Sequence, residues 1–212
     1  MHRLPIGRTL LLLLLTLAVW WWWSNRPIRY APGVLVPTVP LQEDVPERAL
    51  GEVNGFQLTA FARYTLRGRV LGTKRYRSGP GADLVPIDVA VAWGRMSDQA
   101  VLDQLGVSMS NRFFFYEWRG APPLPQGELQ CSGANNHVIA ANDAVSHAVS
   151  HLRTGELIEM QGWLVNATGP DQFRWRSSHR RDDTGNGACE LFFVESLKPF
   201  ASNAPAAVAA VK

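Results

Sequence analysis

Leu10 to Trp23 is an apolar run that ends in four consecutive tryptophans, Trp20, Trp21, Trp22 and Trp23. Thr16 is its only polar side chain, and that hydroxyl can bond back to a helix carbonyl. A helix of this composition has no face for water, because four adjacent indoles cover every side of one turn. A bilayer span needs ~20 apolar residues. That length is reached by extending back through Leu4–Thr9 and out to Ser24, with the indoles in the headgroup layer. A cleaved signal peptide would need small residues at a cut site; here bulky Trp is followed by Ser24-Asn25-Arg26-Pro27. The segment therefore predicts an uncleaved signal-anchor over residues 9–24 behind a cytoplasmic tail of residues 1–8. No cysteine stands near the run, which excludes a lipoprotein anchor. Arg3 and Arg8 on one side face Arg26 and Arg29 on the other, so the positive-inside bias leans only slightly to N-inside. A long domain after a first span usually translocates, which favours the same orientation.

Beyond the anchor, about 185 residues remain, enough for one ordinary domain with linkers. The net charge of +3 is a mild excess that suits an anionic surface without demanding one. Cys131 and Cys189 are the only cysteines. In an oxidising compartment they are expected to pair, closing a loop worth ~4 kcal/mol in the chain-entropy model, with two buried free thiols as the alternative. Their spacing contains no C-x-x-C metal motif.

Pro27, Pro32, Pro37, Pro40 and Pro46 mark residues 25–49 as a semi-extended stalk. Residues 201–212 read as a disordered tail of small residues. Residues 50–200 read as a β-rich domain. Phe56–Tyr76 is a long bent or bulged strand broken by Gly68 and Gly72, and Val85–Trp93 alternates with period two. Ser97 is expected to cap a short helix ending at Gly106, and Asn142 a second one running to Arg153. Phe113–Trp118, Glu128–Cys131, His137–Ala141 and Leu191–Leu197 read as further strands. Glu156–Val165 and Gln172–Ser177 form a hairpin. Strands and helices out of βαβ order predict an α+β fold. It is expected to be a mostly antiparallel, small β-barrel-like domain with two short helices behind the transmembrane helix.

Four groups of residues carry candidate chemistry. His147 and His151 stand i, i+4 on one helix face, a metal-ligand spacing, although Ala148 replaces the Glu of the catalytic zinc motif; boundary histidines are the plainer reading. Arg174, Trp175, Arg176, Arg180 and Arg181 could grip an anion by ion pairing and stacking, against a solvated hairpin with local Arg–Asp pairs. Arg63, Arg67, Arg69, Lys74, Arg75 and Arg77 could extend that basic face. His137, in the amide-rich stretch before the second helix, is a candidate acid or base, with Asp183 and Glu190 as carboxylate partners. Ser132 and Ser178 are conceivable nucleophiles, but no G-x-S-x-G elbow is present to activate them.

Pro86–Asp98 (PIDVAVAWGRMSD), Ala134–Asn142 (ANNHVIAAN) and Arg180–Glu190 resemble elements of a family of bacterial single-pass inner-membrane envelope proteins with a periplasmic β-rich domain. The resemblance covers about residues 50–197 and brings no activity with it. Three functions stay open. The chain is expected to bind a protein partner, anionic lipid or glycopolymer of the envelope, with no cofactor and with nucleic acid disfavoured. The alternatives are a membrane-tethered hydrolase or nuclease-like enzyme using His137, Asp183 and Glu190, and a small accessory subunit of an inner-membrane complex.

Overall fold

The computed structural model describes residues 6–179 and 189–201. Its first element, α1 (Ile6–Asn25), has 20 residues. At ~1.5 Å per residue that is ~30 Å, the thickness of a bilayer's hydrocarbon layer. The window Gly7–Ser24 is long and apolar enough to cross a membrane by length and composition, and none of it is buried against the rest of the chain.

The strands follow as β1 (Leu41–Val53), β2 (Phe56–Arg75) and β3 (Ile87–Ala92), then α2 (Gln99–Leu102). A hairpin of β4 (Leu105–Ser110) and β5 (Phe113–Trp118) precedes α3 (Gln126–Cys131), β6 (Gly133–Ala140) and α4 (Asp143–Ser150). The chain ends in β7 (Leu157–Thr168), β8 (Arg174–Arg176) and β9 (Glu190–Pro199). The fold is α+β with a mostly antiparallel sheet. β2 pairs with β3, β3 with β6, β6 with β9, β9 with β7, and β7 back onto β2; only the β6–β9 ladder is parallel. The hydrogen-bonded ladders thus return to the strand from which they started. β1 and β8 extend this ring as edge strands.

The long β2 makes the closure possible, because it is bent by register shifts between Ala60 and Ala62 and between Val70 and Gly72. Gly68 sits where a Cβ would come within 2.1 Å of Val91 Cγ1, so only glycine lets β2 and β3 approach there. Inside the ring lies the main core, with Tyr64, Leu66, Val70, Val89, Val91, Val138, Met160, Leu164 and Phe192. Alternation then turns Asp88, Asn135 and His137 to the outer face. Two satellite cores flank that face: one around Leu58, Val85, Val165 and Leu191, the other around Ala90, Met96, Leu124 and Leu129.

Four expectations need correction. The proline-rich segment is not a free stalk. Leu35 and Val36 are buried in the core, Ile28 N donates to Thr154 O at 2.8 Å, and residues 41–49 belong to β1. Leu35 and Val36 anchor the segment while Val34, Val39 and Leu41 stay exposed, and prolines on an edge strand forfeit no ladder bond. The first helix is capped by Asp98, which accepts from Ala100 N, and it stops at Leu102 because Gly106 already lies in β4. Ser97 has another role: its Oγ accepts from Leu35 N and Val36 N and donates to Gly94 O. Residues 128–131 lie in a helix, α3, begun behind Pro125 rather than in a strand.

Among the described residues no disulfide joins Cys131, which is exposed, to Cys189, which is half-buried. The parallel register Asn136↔Glu190 puts Cys189 level with Asn135, whereas Cys131 precedes even Gly133, the start of β6. Two strand residues already span ~7 Å, the upper limit of Cα separation for a disulfide. The expected 201–212 tail falls outside the described residues except for Ala201.

Candidate functional site

On the outer face of β3 and β6, one carboxylate organises several side chains. Asp88 is fully buried, and its Oδ1 accepts from Arg112 Nη1 at 2.9 Å. His137 Nδ1 lies 2.9 Å from the same oxygen. A carboxylate only accepts, so Nδ1 carries the proton of this contact. The Asp88↔His137 register across the β3–β6 ladder sets this contact. Asn135 Nδ2 donates to Arg112 O at 2.7 Å.

Arg112 reaches the site from the β4–β5 turn. Asn111 and Arg112 both have positive φ, 51° and 68°. A non-glycine residue in that region costs ~1–2 kcal/mol, so the surroundings must hold the turn in place. They do so from several sides. Arg112 N donates to Tyr76 Oη at 2.9 Å, and Arg112 Nη1 donates to Val85 O at 2.9 Å. The guanidinium carbon lies 3.7 Å from the Tyr76 ring centroid and 5.2 Å from that of Trp175. Burial pushes the Tyr76 phenol up, with the Arg112 N–H bond acting the other way.

Of the residues singled out from sequence, His137 and Trp175 gather here, whereas alternation turns Glu190 to the inner face with Phe192. The Trp175 ring sits 4.7 Å from that of His137, and Gly81 leaves it room, since a Cβ there would come within 2.7 Å of the indole. Glu190 is buried at the start of β9, opposite Asn136. Cys189 Sγ approaches Arg112 O at 3.7 Å. Arg174 and Arg176 point away into solvent on β8, as strand alternation requires. Arg180, Arg181 and Asp183 lie outside the described residues.

His147 and His151 stack on exposed α4 with centroids 4.2 Å apart, and His151 Nδ1 lies 2.8 Å from His147 O. Among the described residues no three His, Cys, Asp or Glu side chains converge to hold a metal. Ser132 is buried, and Ser177 Oγ accepts from Leu191 N. Ser178 N donates to Cys189 O.

The basic row is dispersed rather than assembled into one face. Arg63 pairs with Glu195, Arg67 and Lys198 both pair with buried Glu159, and Arg75 donates to Ser150 O. The Lys198 and Arg67 partners hold the Glu159 carboxyl below its ordinary range, against the opposing effect of burial. Arg69 is buried, donating to Ser97 O and Ile28 O, and burial pushes its pKa down.

Asp88, Arg112, Tyr76 and Asn135 were not foreseen. Asp88 had a signal: it is an acid beside Ala90 and Ala92 on a strand face whose small apolar residues imply burial, where a charge needs a partner. Arg112 had none, because its role depends on a turn that folds over a distant strand.

Chemically, the arrangement is an oriented imidazole closed off from solvent, with a cation held between two aromatic rings. No family model, curated protein or solved structure matches this chain.

Proposed function

We propose that this chain is a single-pass membrane-anchored protein of the bacterial envelope. Its periplasmic domain is a small barrel that binds a protein partner or an anionic envelope component. The carrying observation is the closed circuit of five paired strands joined to an apolar helix through an ordered connector. In five-stranded Greek-key barrels of the oligomer-binding type, the face of the second and third strands and the flanking loops receive ligands. The corresponding strands here are β3 and β6, and residues 76–86 and 169–179 flank their outer face. Arg112 already fills its centre, which leaves exposed Arg174 and Arg176 at the rim as the contact surface.

Affinity capture from membranes with the full chain tests this reading. A co-purifying partner, or an anionic polymer bound in solution, is expected to be retained at least tenfold less by the double variant R174E/R176E. Undiminished retention removes β8 as the contact surface. A reporter fused after Lys212 that is active only in the cytoplasm overturns the orientation.

The Asp88–His137 contact favours one second reading, a tethered hydrolase with His137 as general base. It requires that H137Q abolish ester or phosphodiester hydrolysis while the thermal midpoint is kept. The buried ring, covered by Trp175, argues for a clamp instead.

A further inference from the structure

At the end of the domain nearest α1, two adjoining cavities of about 390 Å³ and 290 Å³ open between β2 and β4. They share Leu71, Val107 and Thr154 as walls. Pro27, Ile28 and Arg29 form part of the smaller one, and Pro27 is two residues past the end of α1. Two residues span at most ~7 Å, so a helix ending in an interfacial tryptophan belt sets this opening at headgroup depth. The seat is ordered: Arg153 Nη1 donates to Ser24 O at 2.9 Å, and Ile28 N to Thr154 O at 2.8 Å.

The charge of the walls is one-sided. Arg29, Arg69, Lys74 and Arg153 line the pair of cavities against one carboxylate, Asp103. Asp103 is engaged by Arg29 at 2.6 Å, and Arg153 by Glu156 at 3.1 Å. Lys74 is exposed and makes no ion pair among the described residues. Arg69 is 3% exposed, also makes no ion pair, and its Nε has no hydrogen-bond partner among the described residues. The guanidinium donates to Ser97 O, Ile28 O and Gln99 Oε1, but no carboxylate is ion-paired with it, so its charge is left to attract an anion into the cavity it lines.

We propose that this cleft binds the headgroup phosphate of an anionic phospholipid, with Arg69 and Lys74 supplying the charge. The inference rests on the membrane-anchor reading above and names the envelope component met at the domain's base. The apolar walls, Leu71, Leu102, Leu105 and Val107, suit the glycerol and first methylenes beside the phosphate.

The test uses the full chain in neutral detergent, titrated with dihexanoyl-phosphatidylglycerol, dihexanoyl-phosphatidylcholine and inorganic phosphate. Phosphatidylglycerol is expected to bind at least tenfold more tightly than phosphatidylcholine and more tightly than phosphate. K74E is expected to weaken it about fivefold, the effect of one cation near an anionic surface, and R69Q by more. Should R69Q fail to fold, K74E carries the test alone. Equal binding of the two lipids, or unchanged phosphatidylglycerol affinity in K74E, overturns the proposal. Phosphate binding as tight as the lipid assigns the cleft to a soluble anion and overturns the lipid source. Carbonate extraction of membranes separates the two readings. Release of the chain overturns the anchor, whereas retention without lipid preference removes only this site.

Discussion

At the residue scale, Asp88 holds two elements together, because one buried carboxylate receives both His137 of β6 and Arg112 of the β4–β5 turn. Removing one partner of a buried pair leaves the other uncompensated, at a cost of ~3–5 kcal/mol. D88N is therefore expected to lower unfolding stability by about that amount in urea titration, whereas D143N on exposed α4 stays within ~0.5 kcal/mol of the parent. The double variant D88N/R112M should recover part of the loss, since it removes the stranded cation as well. A loss that is simply additive would show that the two groups act independently.

Glu159 provides a pH signature. Its carboxyl is held below its ordinary value near 4.5 in the folded state, first by Lys198 and with Arg67 assisting. The folded form therefore binds fewer protons than the unfolded chain. Its contribution is complete above the ordinary carboxylate range and is lost as pH falls below 4.5 through the depressed value. E159Q should flatten that part of the acid-unfolding curve and leave the slope near neutrality unchanged. Parallel curves for the parent and E159Q below pH 4.5 would contradict this.

At the element scale, close backbone approach fixes the pairing of β7 with β9. A Cβ on Gly162 would lie 1.9 Å from Phe193 O, at the register shift between Gln161 and Gly162. G162A is expected to destabilise by several kcal/mol, because backbone rather than a flexible side chain must move. G127A in α3, where a Cβ meets nothing within 4 Å, should be neutral or stabilising by up to ~1 kcal/mol. Thermal melts of the pair separate a packing effect from simple helix propensity. The strand pattern of β2, β3 and β7 was legible from alternation. The α3 helix was not, because its six residues have too little periodicity to outweigh neighbouring proline and aromatic signals.

At the scale of the whole molecule, Cys131 closes α3 while Cys189 leads into β9, on two different elements. Alkylation of the purified chain in denaturant without reductant should add two labels, one each at Cys131 and Cys189. A chain that takes none, and gains both after reduction, would show that the register around β6 and β9 differs from the one described. The connector from Ser24 to Val36 is bonded to the domain at Thr154, Ser97 and Gly94. The helix and the domain are therefore joined by a bonded connector.

Composition and periodicity by themselves determined the apolar N-terminal helix, the α+β class, most strands and the cap of α4 by Asn142. These depend on interactions within a few residues, such as side-chain alternation, the length of an apolar run and a cap bonding its own helix. Tertiary structure alone decided that the proline-rich segment packs rather than projects. It also decided that the basic residues disperse among separate carboxylates and carbonyls or face solvent, and that Arg112 crosses to Asp88. Each of those depends on strand order and register, which bring residues tens of positions apart into contact. A one-residue shift of register turns every side chain to the other face, so local signals cannot encode them.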